Sequence, residues 1–148
     1  MTRGALHHVE LWVTDLAASE ATIGRLVLRL GDAETRRWAT GVRYDLGGTY
    51  LVLEAGLDVS GTHERTRAGL NHLAFHAGTP DEVDALTQAA VADGWTLMFP
   101  ERHPFAGGSE HRAAYLLDGS GFEVELVAST ERAPAPGVVA RNDAARQP

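Results

Sequence analysis

Apolar and polar residues alternate through ALHHVELWV (5–13), with Val9, Leu11 and Val13 at every second position. Period two marks a strand with one buried face. After Thr14-Asp15 the spacing changes: Leu16, Ile23, Val27 and Leu30 fall near one face of a helix, and Gly31 supplies a C-terminal cap. The same order returns at GLNHLAFHA (69–77), where Leu73 and Phe75 share one face and His72, Ala74 and His76 the other. Thr79-Pro80-Asp81-Glu82 then reads as a capping box with proline at the first helical position. Val83, Leu86, Ala90 and Val91 form the apolar stripe of that helix, and Gly94 ends it.

Short strand signals follow each helix. In the first half they are 35–39, Val42–Leu46 and Tyr50–Glu54, with Gly47-Gly48 as a hairpin turn. In the second they are Trp95–Phe99, Arg112–Leu117 and Phe122–Val127, with DGSG (118–121) as the turn. Each half therefore reads β-α-β-β-β. The expected organisation is an α+β fold with a first module over 1–60 and a second over 61–128. The polar stretch 55–69 joins them, and a frayed tail rich in Ala, Pro and Arg occupies 129–148.

Composition narrows the chemistry. A chain of 148 residues with 44% hydrophobic content can bury a real core, and its net charge of −7 without any basic run argues against nucleic-acid or anionic-membrane partners. There is no cysteine, which removes disulfides, thiolate metal sites and thiol nucleophiles. All 13 basic residues are arginine, so Schiff-base lysine chemistry is excluded too. No apolar run opens the chain, so neither a signal peptide nor a membrane span is expected, and a cytoplasmic location is the default. Catalysis must rest on His, Glu, Asp, Tyr, Ser, Thr, Arg or a metal.

Superposing the halves matches His8 with His72 and Glu54 with Glu125, each histidine near the start of a first strand and each glutamate near the end of a last one. A pseudo-twofold axis would bring the four to one place. Imidazole nitrogen and carboxylate oxygen form a standard donor set for divalent Zn, Ni, Co, Mn or Fe. Two glutamates neutralise such an ion, and octahedral coordination leaves two positions for water or substrate. A lone strand histidine is more often structural, so the weight lies on the four positions jointly.

HHVELWVTDLAAS (7–19), GLNHLAFHAG (69–78) and DGSGFEVELV (118–127) together resemble the vicinal oxygen chelate (VOC) superfamily, of the glyoxalase I / bleomycin resistance / extradiol dioxygenase type. The resemblance covers about residues 5–128. It implies two βαβββ modules forming a half-open eight-stranded barrel around one divalent metal ion, with His8, Glu54, His72 and Glu125 as ligands. It implies a homodimer as well. In related extradiol dioxygenases two histidines and one glutamate suffice, which His8, His72 and Glu125 would supply, leaving Glu54 spare or as a base.

The leading expectation is a glyoxalase-like lyase or isomerase acting on a small oxygen-chelating substrate through an enediolate, with Glu54 or Glu125 as catalytic base. The alternatives are an Fe(II) dioxygenase and a non-enzymatic drug-binding resistance protein. Candidate pocket residues are His76, on the same face as His72, and His103, His111 and Tyr115 beside the loop PERHPFAGGSE (100–110). Trp38 and Arg43 are candidates in the first half, with Trp12 and Glu10 near them.

Overall fold

The computed structural model describes residues 3–129; the tail expected over 129–148 lies, from residue 130 on, outside the described residues. The chain runs through β1 (His8–Trp12), α1 (Leu16–Ser19), a π turn (Glu20–Gly24), α2 (Arg25–Arg29), β2 (Ala33–Trp38), β3 (Gly41–Leu46) and β4 (Thr49–Glu54). It continues through β5 (His72–His76), α3 (Pro80–Ala92), β6 (Thr96–Leu97), β7 (Ala113–Leu117) and β8 (Glu123–Val127). Two four-stranded mixed sheets result, ordered β1-β4-β3-β2 and β5-β8-β7-β6. In each, the first strand lies parallel to the last and the remaining pairs are antiparallel. The expected pair of βαβββ modules is the architecture found.

Strand periodicity decides what each sheet buries. Leu11, Val13, Val42, Tyr44, Leu51 and Leu53 pack with Ile23, Leu26 and Val27 of the first helical segment. Ala114, Leu116, Val124 and Leu126 join Val83 and Ala90 of α3, with Leu73 and Phe75 against them. Both sets belong to one continuous core. A fully buried leucine such as Leu53 or Leu126 contributes roughly 1.5–3 kcal/mol by area. Polar ties between the halves are smaller. Arg25 and Arg29 meet Asp93 at 3.4 and 3.0 Å, and the Thr22 hydroxyl donates to Asp118 at 3.3 Å. Exposed pairs of this kind contribute at most about 1 kcal/mol each, so the apolar junction holds the halves together.

The structure departs from sequence expectation in three places. The first helix is interrupted by a π turn at Glu20–Gly24, where Gly24 lies against Tyr44 of β3 so closely that a Cβ would sit 2.5 Å from the phenol oxygen. The strand expected over Trp95–Phe99 shrinks to Thr96–Leu97, because Phe99 turns to φ +51° just before Pro100. The stretch joining the halves is not a loose tether: Arg65 forms an ion pair with buried Glu123, and His63 stacks on Phe122 with ring centroids 4.3 Å apart. Among the described residues no helix is long and apolar enough to cross a membrane.

The capping box of α3 is present as the sequence predicts, with Thr79 Oγ1 accepting from the Glu82 amide and the Thr79 amide donating to Glu82. Thr79→Ala should therefore cost about 1 kcal/mol in chemical denaturation. The hydrogen bonds from the Thr79 amide and hydroxyl hold the Glu82 carboxyl below its ordinary value. A depressed carboxyl stabilises the fold above the unfolded value and loses that contribution as pH falls through the folded one. The stability difference between wild type and Glu82→Gln should accordingly shrink on acidification from neutral pH.

Candidate functional site

The face of each sheet turned away from the helices carries the polar residues, and strand register sets their levels. In the first sheet His8 lies opposite Tyr50, Glu10 opposite Val52 and Trp12 opposite Glu54. In the second His72 lies opposite Glu123, Ala74 opposite Glu125 and His76 opposite Val127. With His8 and His72 equivalent, the residue equivalent to Glu125 is Val52, and Glu54 is equivalent to Val127. The expected match of Glu54 with Glu125 is thus off by two residues. His8 and Glu54 stand four residues apart along the pair, about 13 Å at strand rise. The two residues expected as first-half ligands are thus at opposite ends of the strand pair.

Each has other company. The Trp38 indole donates to Glu54 at 2.7 Å and lies across Gly41, where a Cβ would come within 2.3 Å of the ring. Trp12 donates to Glu10 at 2.8 Å. His8 stacks on Tyr50 with centroids 4.7 Å apart and planes at 4°, while Arg43 covers the Tyr50 ring at 3.7 Å and bonds Asp45. Trp38 and Arg43, expected as pocket residues, share the His8 face as partners of Glu54 and of the Tyr50 stack.

The second half builds a tighter cluster around Glu125, a buried carboxylate on β8. His111 Nε2 lies 2.5 Å from its Oε1 and His72 Nε2 3.4 Å from its Oε2. Tyr115 is its cross-strand neighbour on β7. Burial pushes the Glu125 carboxyl up, but the polar influence of Tyr115, the His111 hydrogen bond and the charges of His111 and His72 outweigh it, leaving it below the ordinary range. Tyr115 is pushed up to about 12, by burial first and then by Glu125, and stays a donor at neutral pH. The glycine loop closes on this cluster: a Cβ on Gly107 would stand 2.5 Å from the Tyr115 oxygen and 2.6 Å from the His111 ring.

Two expected pocket residues lie elsewhere. His76 lines a cavity with Leu30, Ala77, Gly78 and Glu82 near the start of α3, four residues along β5 from His72. His103 lines a cavity with Asp84, Thr87 and Arg112, on the α3 side of the second sheet. Sequence reasoning missed Glu123, Arg65 and Asn71. The Glu-x-Glu spacing in FEVEL was a signal for the first, since residues two apart share a strand face.

Residues 7–115 match the glyoxalase/bleomycin resistance protein/dioxygenase superfamily. The chain belongs to this superfamily. The chain is similar to the Bacillus subtilis (strain 168) protein YqjT, 39% identical over 125 residues, 83% of this chain and 98% of that protein. The crystal structure of a "putative glyoxalase" from Bacillus halodurans is similar at 42% identity and TM-score 0.81, covering 86% of this chain and 97% of that one. Lactoylglutathione lyase from Agrobacterium tumefaciens shares the fold at TM-score 0.60 and 20% identity, over 87% of this chain and 96% of its own.

A divalent ion is tested against these residues by donor chemistry and spacing. His72 Nε2 and Glu125 Oε2 offer one nitrogen and one oxygen 3.4 Å apart, which suits two donors of a shared ion. Among the described residues no group of three or more His, Asp or Glu is arranged to hold one. Within one chain the His72 and Glu125 pair has the spacing of two such donors. Gly107→Val should push the loop off Tyr115 and His111 while shifting the unfolding midpoint little; a changed His111 ring signal in NMR beside an unchanged thermal melt reads both.

Proposed function

We propose that the chain is a divalent-metal-dependent enzyme of this superfamily that moves a proton on a small substrate bearing adjacent oxygens. The observation that carries this reading is the buried Glu125 with His72 on one carboxylate oxygen and His111 on the other. His72 and Glu125 would hold the ion, whose chemistry is Lewis-acid polarisation of substrate oxygens. Glu125 would take a proton from carbon beside a carbonyl. His111, hydrogen-bonded to it and two-fifths exposed, would exchange that proton with water while a proton is returned from Glu125 to the neighbouring substrate atom, closing the transfer. Tyr115 stays protonated and steadies the carboxylate. The loop at Gly107 covers this end of the site.

Two protein donors are few for a tight site. The His8 face of one copy set against the His72–Glu125 face of a second completes the set, so the active form in this reading is a homodimer with sites shared between copies. Elemental analysis should find stoichiometric divalent metal in wild type and at least a tenfold loss in His72→Ala. Full metal and activity in that variant would end this assignment. Mixing inactive His8→Ala and His72→Ala proteins should restore about a quarter of wild-type activity, because half of randomly exchanged dimers regain one of two sites. No recovery after subunit exchange would place the site within one chain.

A second reading has its own support. With Glu54 occupied by Trp38, the remaining set of histidines and one carboxylate is the donor type of Fe(II) oxygenases. Turnover that stops without O₂, with iron as the bound metal, would favour that reading over proton transfer.

A further inference from the structure

His72 has two ring nitrogens, and the site uses only Nε2, the one that faces Glu125. Its Nδ1 lies 2.8 Å from Asn71 Oδ1. The Asn71 amide is itself held, because its Nδ2 donates to the Arg65 carbonyl at 2.9 Å. A carbonyl oxygen can only accept, so the NH₂ end must face Arg65 and the oxygen must face the imidazole. That oxygen in turn can only accept, so His72 Nδ1 must carry the proton. In the neutral ring Nε2 then carries a lone pair 3.4 Å from Glu125 Oε2, too far for a normal hydrogen bond, and the two acceptors together face any cation placed between them.

Arg65 is well placed to anchor this relay. Its guanidinium pairs with Glu123, a buried carboxylate directly opposite His72 in the sheet. The turn around it is ordered by Glu64, which accepts from the Thr66 amide at 3.0 Å and the Thr66 hydroxyl at 2.6 Å. Upstream, His63 stacks on Phe122 with planes at 3°. Gly121 leaves room for the His63 carbonyl, which a Cβ there would approach to 2.7 Å at an unfavourable φ of +92°. The segment between the sheets is thereby pinned at both ends of 63–71.

We propose that Asn71 is a positioning residue that fixes the tautomer of His72, using the Arg65 carbonyl as its reference, so that Nε2 is presented as a lone pair to whatever the site binds. That His72 serves as a metal donor rests on the function proposed above; the tautomer does not. Asn71 is exposed, so substitution there leaves the core intact.

The test is long-range ¹H–¹⁵N correlation NMR of the histidine rings in metal-free full-length protein at a pH where they are neutral, with His72→Ala to assign the signal. Wild type should show the Nδ1–H form for His72. Asn71→Leu, which lacks the acceptor, should shift it to a mixture or to Nε2–H, whereas Asn71→Asp, which keeps an acceptor oxygen, should retain Nδ1–H. Cobalt affinity should fall about 10- to 100-fold in Asn71→Leu and substantially less in Asn71→Asp, as is usual for groups that orient a ligating imidazole. An unchanged Nδ1–H signal in Asn71→Leu overturns the proposal whatever the metal result. A shifted tautomer with no cobalt binding in wild type upholds it and rejects the metal reading instead.

Discussion

Parallel pairing of the first and last strand of each half is the constraint on which the site depends. A parallel ladder ties each residue to one level, and every second residue to one face. In the second half that rule sets a histidine, two glutamates and a tyrosine within two adjacent levels of one face. In the first half the same rule carries Glu54 to the far end of the pair from His8. The halves share their fold and differ in their chemistry because acidic residues fall at different levels of equivalent ladders.

Glu123 and Glu125 make the second half electrostatically demanding. Both are buried on one face, and carboxylates removed from water need charged or hydrogen-bonding partners. Arg65 answers the first; His111 answers the second, with Tyr115 beside it across the strand pair. The division keeps Glu125 ionised without a salt bridge to arginine, so its partners are neutral or titratable groups that can rearrange around a ligand. An arginine there would have held the carboxylate in a fixed ion pair. The first half solves a milder version of the problem with indole donors to Glu10 and Glu54.

Much of the fold was legible in the sequence. The alternation in 5–13 and 69–77 and the capping box at Thr79 each have a local cause, and each appears in the structure with small shifts in bounds. The π turn was not legible, because it answers to the close approach of Tyr44 from a strand further along the chain. The site was legible in its second half: His72, His111, Tyr115 and Glu125 come together. Glu54 went astray because counting residues from strand ends cannot see register. His103 and His76 were drawn in by residue type, yet loop path and position along the strand decide where a side chain goes. Asn71 was invisible for a related reason, since its role needs a carbonyl six residues upstream.

The pinned segment 63–71 bears on how tightly the site could bind. A connection left free in the empty protein would have to be ordered each time a ligand arrived, and that lost freedom would be subtracted from affinity. Here the ion pair with Glu123 and the stack on Phe122 order the segment when the chain folds. The entropy is spent once, in reaching the native state, where the shared core can bear it. Binding then starts from a preorganised wall, with the glycine loop over Tyr115 on the other side of the cluster.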